Sequence, residues 1–239
     1  MNDKDRSSDY INAEFRKWRN INKRIDRVIL SALLILIVLT GSGLIDGLVF
    51  LEKGISSVRY HSFSQLMEIN PDTVAWITMD GTHIDHPVVR SIDNFDYLDK
   101  GFDGKFYAGG TLFMDKDNKS PADPYCIIHG HHMAAGAMFG DLDKYLDEDF
   151  CSKNSTGKLL TQKYDYDIEV FAAGIFDAYD RNVYKTGGPA PLDYIKETSV
   201  VIRDPVPADN VLALSTCCDD MTDNRTVVFC TLTNKRKHR

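Results

Sequence analysis

The residues able to do chemistry gather in three short runs. Two adjacent cysteines, Cys217 and Cys218, end the apolar run "VLALSTC", and Arg225 opens the next, "RTVVFCTLT". An earlier run, "YCIIHGHHM", carries His129, His131 and His132 at its end. A cysteine attacks as its thiolate, which needs a proton acceptor and electropositive surroundings. Imidazole can supply the first. A guanidinium supplies permanent charge and hydrogen bonds to a developing oxyanion. In a strand, alternate residues share a face, so Cys217 goes with Ser215 and Ala213, and Cys218 with Thr216 and Leu214. A disulfide between neighbours strains ordinary disulfide geometry. One functional thiol and one incidental thiol is the simpler reading. Spacing alone does not pair Cys, His and Arg.

The same histidines raise a metal reading, since His129 and His131 share a strand face. A zinc site wants at least three protein ligands, and the sequence nominates no third; His83 and His86 are too weak to fill the place. Neither a metal nor a cofactor is expected. "DKDN" at 115–118 opens like a calcium loop but lacks the rest of the pattern. It reads as a solvated acidic loop, as does "DDMTD" after the cysteines. Of the five cysteines, Cys126, Cys151 and Cys230 show no zinc spacing and read as small buried hydrophobes. An odd count leaves at least one unpaired.

Strands and a few helices must position these groups. "VAWITM" and "THIDHPVV" are short strands joined by Asp80-Gly81, a hairpin cue. "GTLFMD", "YCIIHGH", "GKLLTQ", "YDIEVFAAGIFDAY", "VLALSTC" and "RTVVFCTLT" continue the pattern. Residues 138–150 have apolar side chains at helical spacing. A second helix starts near Pro191, where proline suits the first turn. Residues 51–69 read as one or two helices. Many short strands with few helices predict a mainly β fold, a barrel or sandwich with helical additions.

Charge and hydropathy divide the chain. Its 239 residues carry a net charge of −7. Residues 1–27 hold eight Lys/Arg and five Asp/Glu, so the remainder has 20 basic and 30 acidic residues, a net −10. That acidic body argues against nucleic acid as the main partner. Val28–Ile45 runs for 18 residues without a charged side chain, about the length that crosses a bilayer. It is longer than the apolar region of a cleaved signal peptide, and Arg16, Lys17, Arg19, Lys23, Arg24 and Arg27 crowd its N-terminal side. The positive-inside rule then sets the N-terminus in the cytoplasm. The expected organisation is a cytoplasmic segment 1–27, a transmembrane signal anchor 28–50 and an extracellular domain 51–239. The terminal "KRKHR" reads as a frayed, solvated end.

Taken together, these motifs resemble the sortases, membrane-anchored cysteine transpeptidases of Gram-positive bacteria. The resemblance covers roughly residues 62–234 and rests on "LSTC" at a strand end, an arginine opening the next strand, and Gly-His on an earlier strand. It is closest to class B, from "INPDTVAWITMDGTHIDHPVV", "DNFDYL", "GGTLFMD", "GHHMAAGAMFGDLDKYLDEDF" and the insert with "PLDYIKETS". The resemblance implies a closed β-barrel with N-terminal helices and a helix in the long loop before the cysteine strand. It implies His131, Cys217 and Arg225 as catalytic residues. Ser215 and Thr216 would shape the groove, and Asn94 and Leu98 would lie near the substrate. His129 stands where class B members usually carry an aromatic. The implied reaction cleaves an Asn-Pro-x-Thr type sorting signal of a secreted protein and passes it, through a thioacyl enzyme, to an amine of the peptidoglycan precursor or crossbridge. Rival readings are a pilin-polymerising sortase, a non-catalytic wall-binding module on the same fold, and a papain-type hydrolase, in which the cysteine precedes the histidine.

Overall fold

The computed structural model describes residues 63–204, 209–217 and 223–237, together with their side chains except at Cys217. The expected cytoplasmic segment 1–27, the expected signal anchor 28–50 and the first part of the helical stretch expected over 51–69 lie outside these residues. Among the described residues, no helix is long and apolar enough to cross a membrane. A short helix α1 (Phe63–Ile69) leads into strands β1 (Thr73–Met79), β2 (Asp85–Arg90), β3 (Leu112–Met114), β4 (Tyr125–Gly130), β5 (Thr156–Thr161), β6 (Tyr164–Asp177), β7 (Val201–Ile202), β8 (Val211–Cys217) and β9 (Asn224–Lys237). The order β5-β1-β2-β3-β4-β8-β9-β6 closes through a β5–β6 pairing into an eight-stranded barrel, and β7 adds to β6 outside the ring. The expected hairpin joins β1 to β2, with Gly81 in the left-handed region at φ 72°.

Two apolar layers explain why β4, β8 and β9 read as near-continuous hydrophobic runs. Cys126, Ile128, Leu212, Leu214, Val228 and Cys230 face the barrel interior. Tyr125, Ile127, Val211, Ala213, Val227 and Phe229 face an outer layer, completed by Val183 and by Ile195 of helix α3 (Leu192–Thr198). α3 lies in the insert before the cysteine strand, with Pro191 as its N-cap. Strands covered on both faces lose the period-two alternation of a half-exposed sheet. Cys126, Cys151 and Cys230 are buried free thiols, and burial pushes each one's pKa up.

Three details differ from the sequence reading, one of them the "DKDN" loop, which was expected to be solvated but has Asp115 and Asn118 buried. The helix expected over 138–150 is two helices, a 3₁₀ helix Gly140–Leu146 and an α-helix α2 (Glu148–Lys153). Asp147 between them has extended backbone, and its carboxylate caps α2 by accepting from Phe150 N–H at 2.7 Å. An N-capping side chain starts a helix rather than continuing one, and apolar periodicity does not register such a break. The basic end is also not frayed as far as Lys237. β9 continues to that residue, Arg236 forks onto Asp167 at 2.6 and 2.9 Å, and Lys235 lies 4.0 Å over the Tyr164 ring.

The "DKDN" loop is a latch on β4. Buried Asn118 donates from Nδ2 to Tyr125 O at 2.8 Å and accepts from Ile127 N–H at 3.0 Å. It thereby satisfies two backbone groups of β4. Leaving such groups unpaired costs roughly 1–3 kcal/mol each. Asn118→Ala should therefore lower unfolding free energy by about 2–4 kcal/mol, read from urea denaturation, with Asn118→Asp recovering only the acceptor half.

Candidate active site

Strand register brings the expected residues to one rim of the barrel. β4 and β8 are parallel, with His129 opposite Ser215 and Gly130 opposite Thr216. β8 and β9 are antiparallel, with Thr216 opposite Thr226 and Cys217 opposite Arg225. Continued by one residue, the β4–β8 register sets His131 level with Cys217. Adjacent strands are about 4.8 Å apart, so the three backbone positions stand side by side in the order His131, Cys217, Arg225.

His131 is held from outside the barrel. Its Nε2 lies 2.7 Å from the backbone carbonyl of Leu98. A carbonyl only accepts, so Nε2 carries a hydrogen in either protonation state. The other ring nitrogen, Nδ1, is not committed to this bond. The segment bearing Leu98 packs closely because Gly110, at φ 60°, has no Cβ; one there would overlap the carbonyl oxygens of Tyr97 and Leu98. Gly130, which precedes the histidine, is needed for space. A Cβ there would overlap Leu112 and stand 2.8 Å from the Phe139 ring.

Other expected residues fall on both sides of the strands. Asn94 donates to Asp115 Oδ2 at 2.9 Å and accepts from Lys116 N–H at 2.9 Å, so its amide ties the Leu98 loop to the end of β3. Leu98 is half-buried and packs beside Val89, Tyr97 and Phe113. Ser215 is buried, with its hydroxyl 2.9 Å from that of Tyr184. Thr216 is buried and faces the interior, and its hydroxyl makes no hydrogen bond among the described residues. That location favours packing beneath the rim over groove lining. The loop 218–222 lies outside the described residues.

The histidines have separate tasks. His129 Nε2 lies 3.0 Å from Asp115 Oδ2, and His132 Nε2 lies 2.8 Å from Asp143 Oδ2. His83 Nδ1 is 2.8 Å from Asp141 Oδ2. His86 is buried, which lowers it to about 4 against the raising effect of Asp85.

Tyr184 is the residue that sequence reasoning missed. It sits in the insert between β6 and α3, its ring stacked on that of His129 at 6.2 Å and 19°. Burial pushes its phenol to about 12, while the Ser215 hydrogen bond and the charge of Arg225 pull the other way. The one sequence signal was indirect: His129 occupies a place usual for an aromatic, and its planar ring stacks on another.

The Sortase domain model matches residues 77–233, so the chain belongs to the sortase family, a family of cysteine transpeptidases. Within it, the chain is a class B sortase. Sortase B of Listeria monocytogenes is 33% identical over 162 residues, covering 64% of this chain and 65% of that protein, just under two thirds of its length. Sortase B of Staphylococcus aureus is 32% identical over 165 residues, covering 66% and 68%. The crystal structure of the S. aureus protein superposes with a TM-score of 0.65 at 29% identity, over 72% of this chain and 86% of that one. Spy0129, a Streptococcus pyogenes class B sortase involved in pilus biogenesis, gives 0.64 at 34% identity, over 72% and 98%.

Asp115 offers a test of how the rim is held. Burial acts to raise its carboxyl, but the hydrogen bonds from His129, Asp117 N–H and Asn94 outweigh it and hold the carboxyl below its usual range. A depressed folded pKa contributes stability that is present above the unfolded carboxylate pKa and lost as pH falls through the folded one. Asp115→Asn should cost about 1–3 kcal/mol near neutral pH. Its deficit against the wild type should narrow as pH falls below about 4, measured by thermal or urea unfolding across pH.

Proposed function

We propose that this class B sortase cleaves an Asn-Pro-x-Thr type sorting signal of a secreted protein and joins the new carboxyl end to an amine of the cell-wall peptidoglycan. The observation that supports this reading is the register that pairs Gly130, the residue before His131, with Thr216, the residue before Cys217, and pairs Cys217 with Arg225. Related proteins point the same way: S. aureus sortase B has been solved in complex with a substrate, and a sortase B with triglycine.

In this reading the Cys217 thiolate attacks the carbonyl carbon of the signal threonine. A C–S bond forms, and the carbonyl electron pair moves onto oxygen. Arg225 stabilises that oxyanion with its fixed charge and N–H donors. Collapse re-forms the carbonyl and breaks the C–N bond, and Nδ1 of His131 gives its proton to the leaving amine. The incoming amine then attacks the thioester, loses a proton to His131 and releases the thiolate. Water in place of the amine gives hydrolysis. Leu98 serves twice, its carbonyl orienting His131 and its side chain lying toward the groove. Ser215, held by Tyr184, shapes the wall beside Cys217. Asn94 and Thr216 support the groove from behind.

The apolar run 28–45 tethers the enzyme at the outer membrane face. A secreted protein halted at the membrane and a lipid-linked wall precursor would meet it there, and tethering raises the effective concentration of both. A second reading, pilin polymerisation, draws on the S. pyogenes relative involved in pilus biogenesis. It keeps the first half-reaction and replaces the wall amine by a lysine of another subunit.

The test uses the full-length chain in detergent, as wild type, Cys217→Ala and Cys218→Ala. Each is incubated with a fluorogenic Asn-Pro-x-Thr peptide and either a glycine-oligomer or a lysine-peptide amine, and intact mass is recorded. Cys217→Ala should lose about a thousandfold or more of the cleavage rate and all of the acyl adduct, while Cys218→Ala keeps both. Cleavage surviving in Cys217→Ala would sink the assignment of the nucleophile. Transfer to the lysine peptide alone would favour pilin polymerisation, and no adduct in wild type over several sorting peptides would favour a non-catalytic module.

A further inference from the structure

The carboxylate of Asp143 joins two of the three strand ends. Asp143 lies on the 3₁₀ helix Gly140–Leu146, whose Leu142 and Tyr145 pack into the barrel interior. Its Oδ2 accepts from His132 Nε2–H at 2.8 Å, and its Oδ1 accepts from the Thr226 hydroxyl at 2.6 Å. His132 directly follows His131. Thr226 directly follows Arg225 and pairs across to Thr216, the residue before Cys217. Each of the three candidate catalytic residues therefore has an immediate neighbour at this carboxylate or beside its partner. Asp143 comes from none of the three strands.

We propose that Asp143 is a positioning residue for the transpeptidase: its two oxygens tie the residue after His131 to the residue after Arg225, and so fix the spacing of those groups about Cys217. This rests on the proposed reaction. Asp143 and His132 have side chains 38% and 33% exposed, and pairs of that exposure contribute little to global stability. Thr226 is fully buried. The arrangement therefore acts on geometry more than on folding. Among the described residues the loop after β4 has other anchors on its outer side and along its main chain: His131 Nε2 bonds the Leu98 carbonyl, His131 O accepts from Phe139 N–H at 3.0 Å, and His132 bridges Met138; the Asp143 carboxylate is the tie that reaches across to β9. Misplacement of a reacting group by about 1 Å can cost up to a hundredfold in rate, so a small release of this loop is enough to be read kinetically.

The experiment compares the full-length chain in detergent as wild type, Asp143→Ala, Asp143→Asn, Thr226→Val, Thr226→Ser and the Asp143→Ala/Thr226→Val double variant. An asparagine carbonyl still accepts from Thr226, and its NH₂ can donate to His132 in the other tautomer. Asp143→Ala and Thr226→Val should each lower kcat about tenfold with KM within about twofold. The double variant should be no worse than the poorer single one, because both changes break the same tie. Asp143→Asn and Thr226→Ser should recover most of the loss. An unchanged kcat in Asp143→Ala, losses that multiply in the double variant, or no recovery in Asp143→Asn and Thr226→Ser would each overturn the proposal. If the wild type cleaves no sorting peptide, the proposed reaction fails but the tie can still be read. The His131 ring ¹³C signal of histidine-labelled protein should then move in Asp143→Ala and Thr226→Val and return in the conservative variants. A signal that stays put in all of them refutes the positioning role.

Discussion

Everything at the rim depends on the parallel pairing of β4 with β8. Parallel neighbours cannot be joined by a tight turn and need a long crossover. Here the crossover is the whole chain between Gly130 and Val211. It includes three short helices after β4, three strands, and the insert with Tyr184 and α3. The loop-closure entropy of such a long connection is unfavourable but grows only slowly with length. Burial on both faces of the pair offsets it, at roughly 1.5–3 kcal/mol for each large apolar side chain. A one-residue slip in this register would turn Leu212 and Leu214 out of the interior. The same packing that closes the barrel therefore sets Gly130, the residue before His131, opposite Thr216, the residue before Cys217.

From that pairing outward, the polar contacts divide into two sets on opposite sides of the sheet. On the outer side, Asp115 gathers His129 and Asn94, while Tyr184 reaches from the insert to Ser215. On the inner side, Asp143 gathers His132 and Thr226. The residues flanking His131 in sequence thus go to different carboxylates, His129 to one and His132 to the other. The histidine between them makes its own hydrogen bond to a main-chain oxygen. Three histidines within four residues look like a metal cluster in one dimension, and the strand end separates them in three.

The sequence was most readable where local pattern and burial agree. "VLALSTC" reads as a strand because every residue in it is apolar, small or β-branched, and β8 has those bounds. The Gly-His pair and the arginine at the start of β9 were legible from the family motif, and the register sets Gly130 opposite Thr216 and Arg225 opposite Cys217. The break at Asp147 was not, because a cap is one side chain's choice within a periodic run. The length of β9 was hidden because Lys235, Arg236 and Lys237 are polar. They stay in the sheet through β6 and the Asp167 fork, which are distant in sequence. Tyr184 was hidden for the same reason, apart from the indirect signal at His129: nothing in "RNVYKTGG" announces a partner 31 residues ahead. Asn94 and Thr216 were singled out from the motif; Asn94 bonds Asp115 and Lys116 N–H, and Thr216 is buried beneath the rim.

The bond from His131 to the carbonyl of Leu98 has a consequence for how such a site can change. The acceptor is main chain, so no side-chain replacement at position 98 deletes it. The side chain of the same residue packs beside Phe113 and Tyr97 near the proposed groove. One position therefore carries an invariant element and a variable one. The side chain at position 98 can change what it packs against while the His131 ring keeps its bond and its aim.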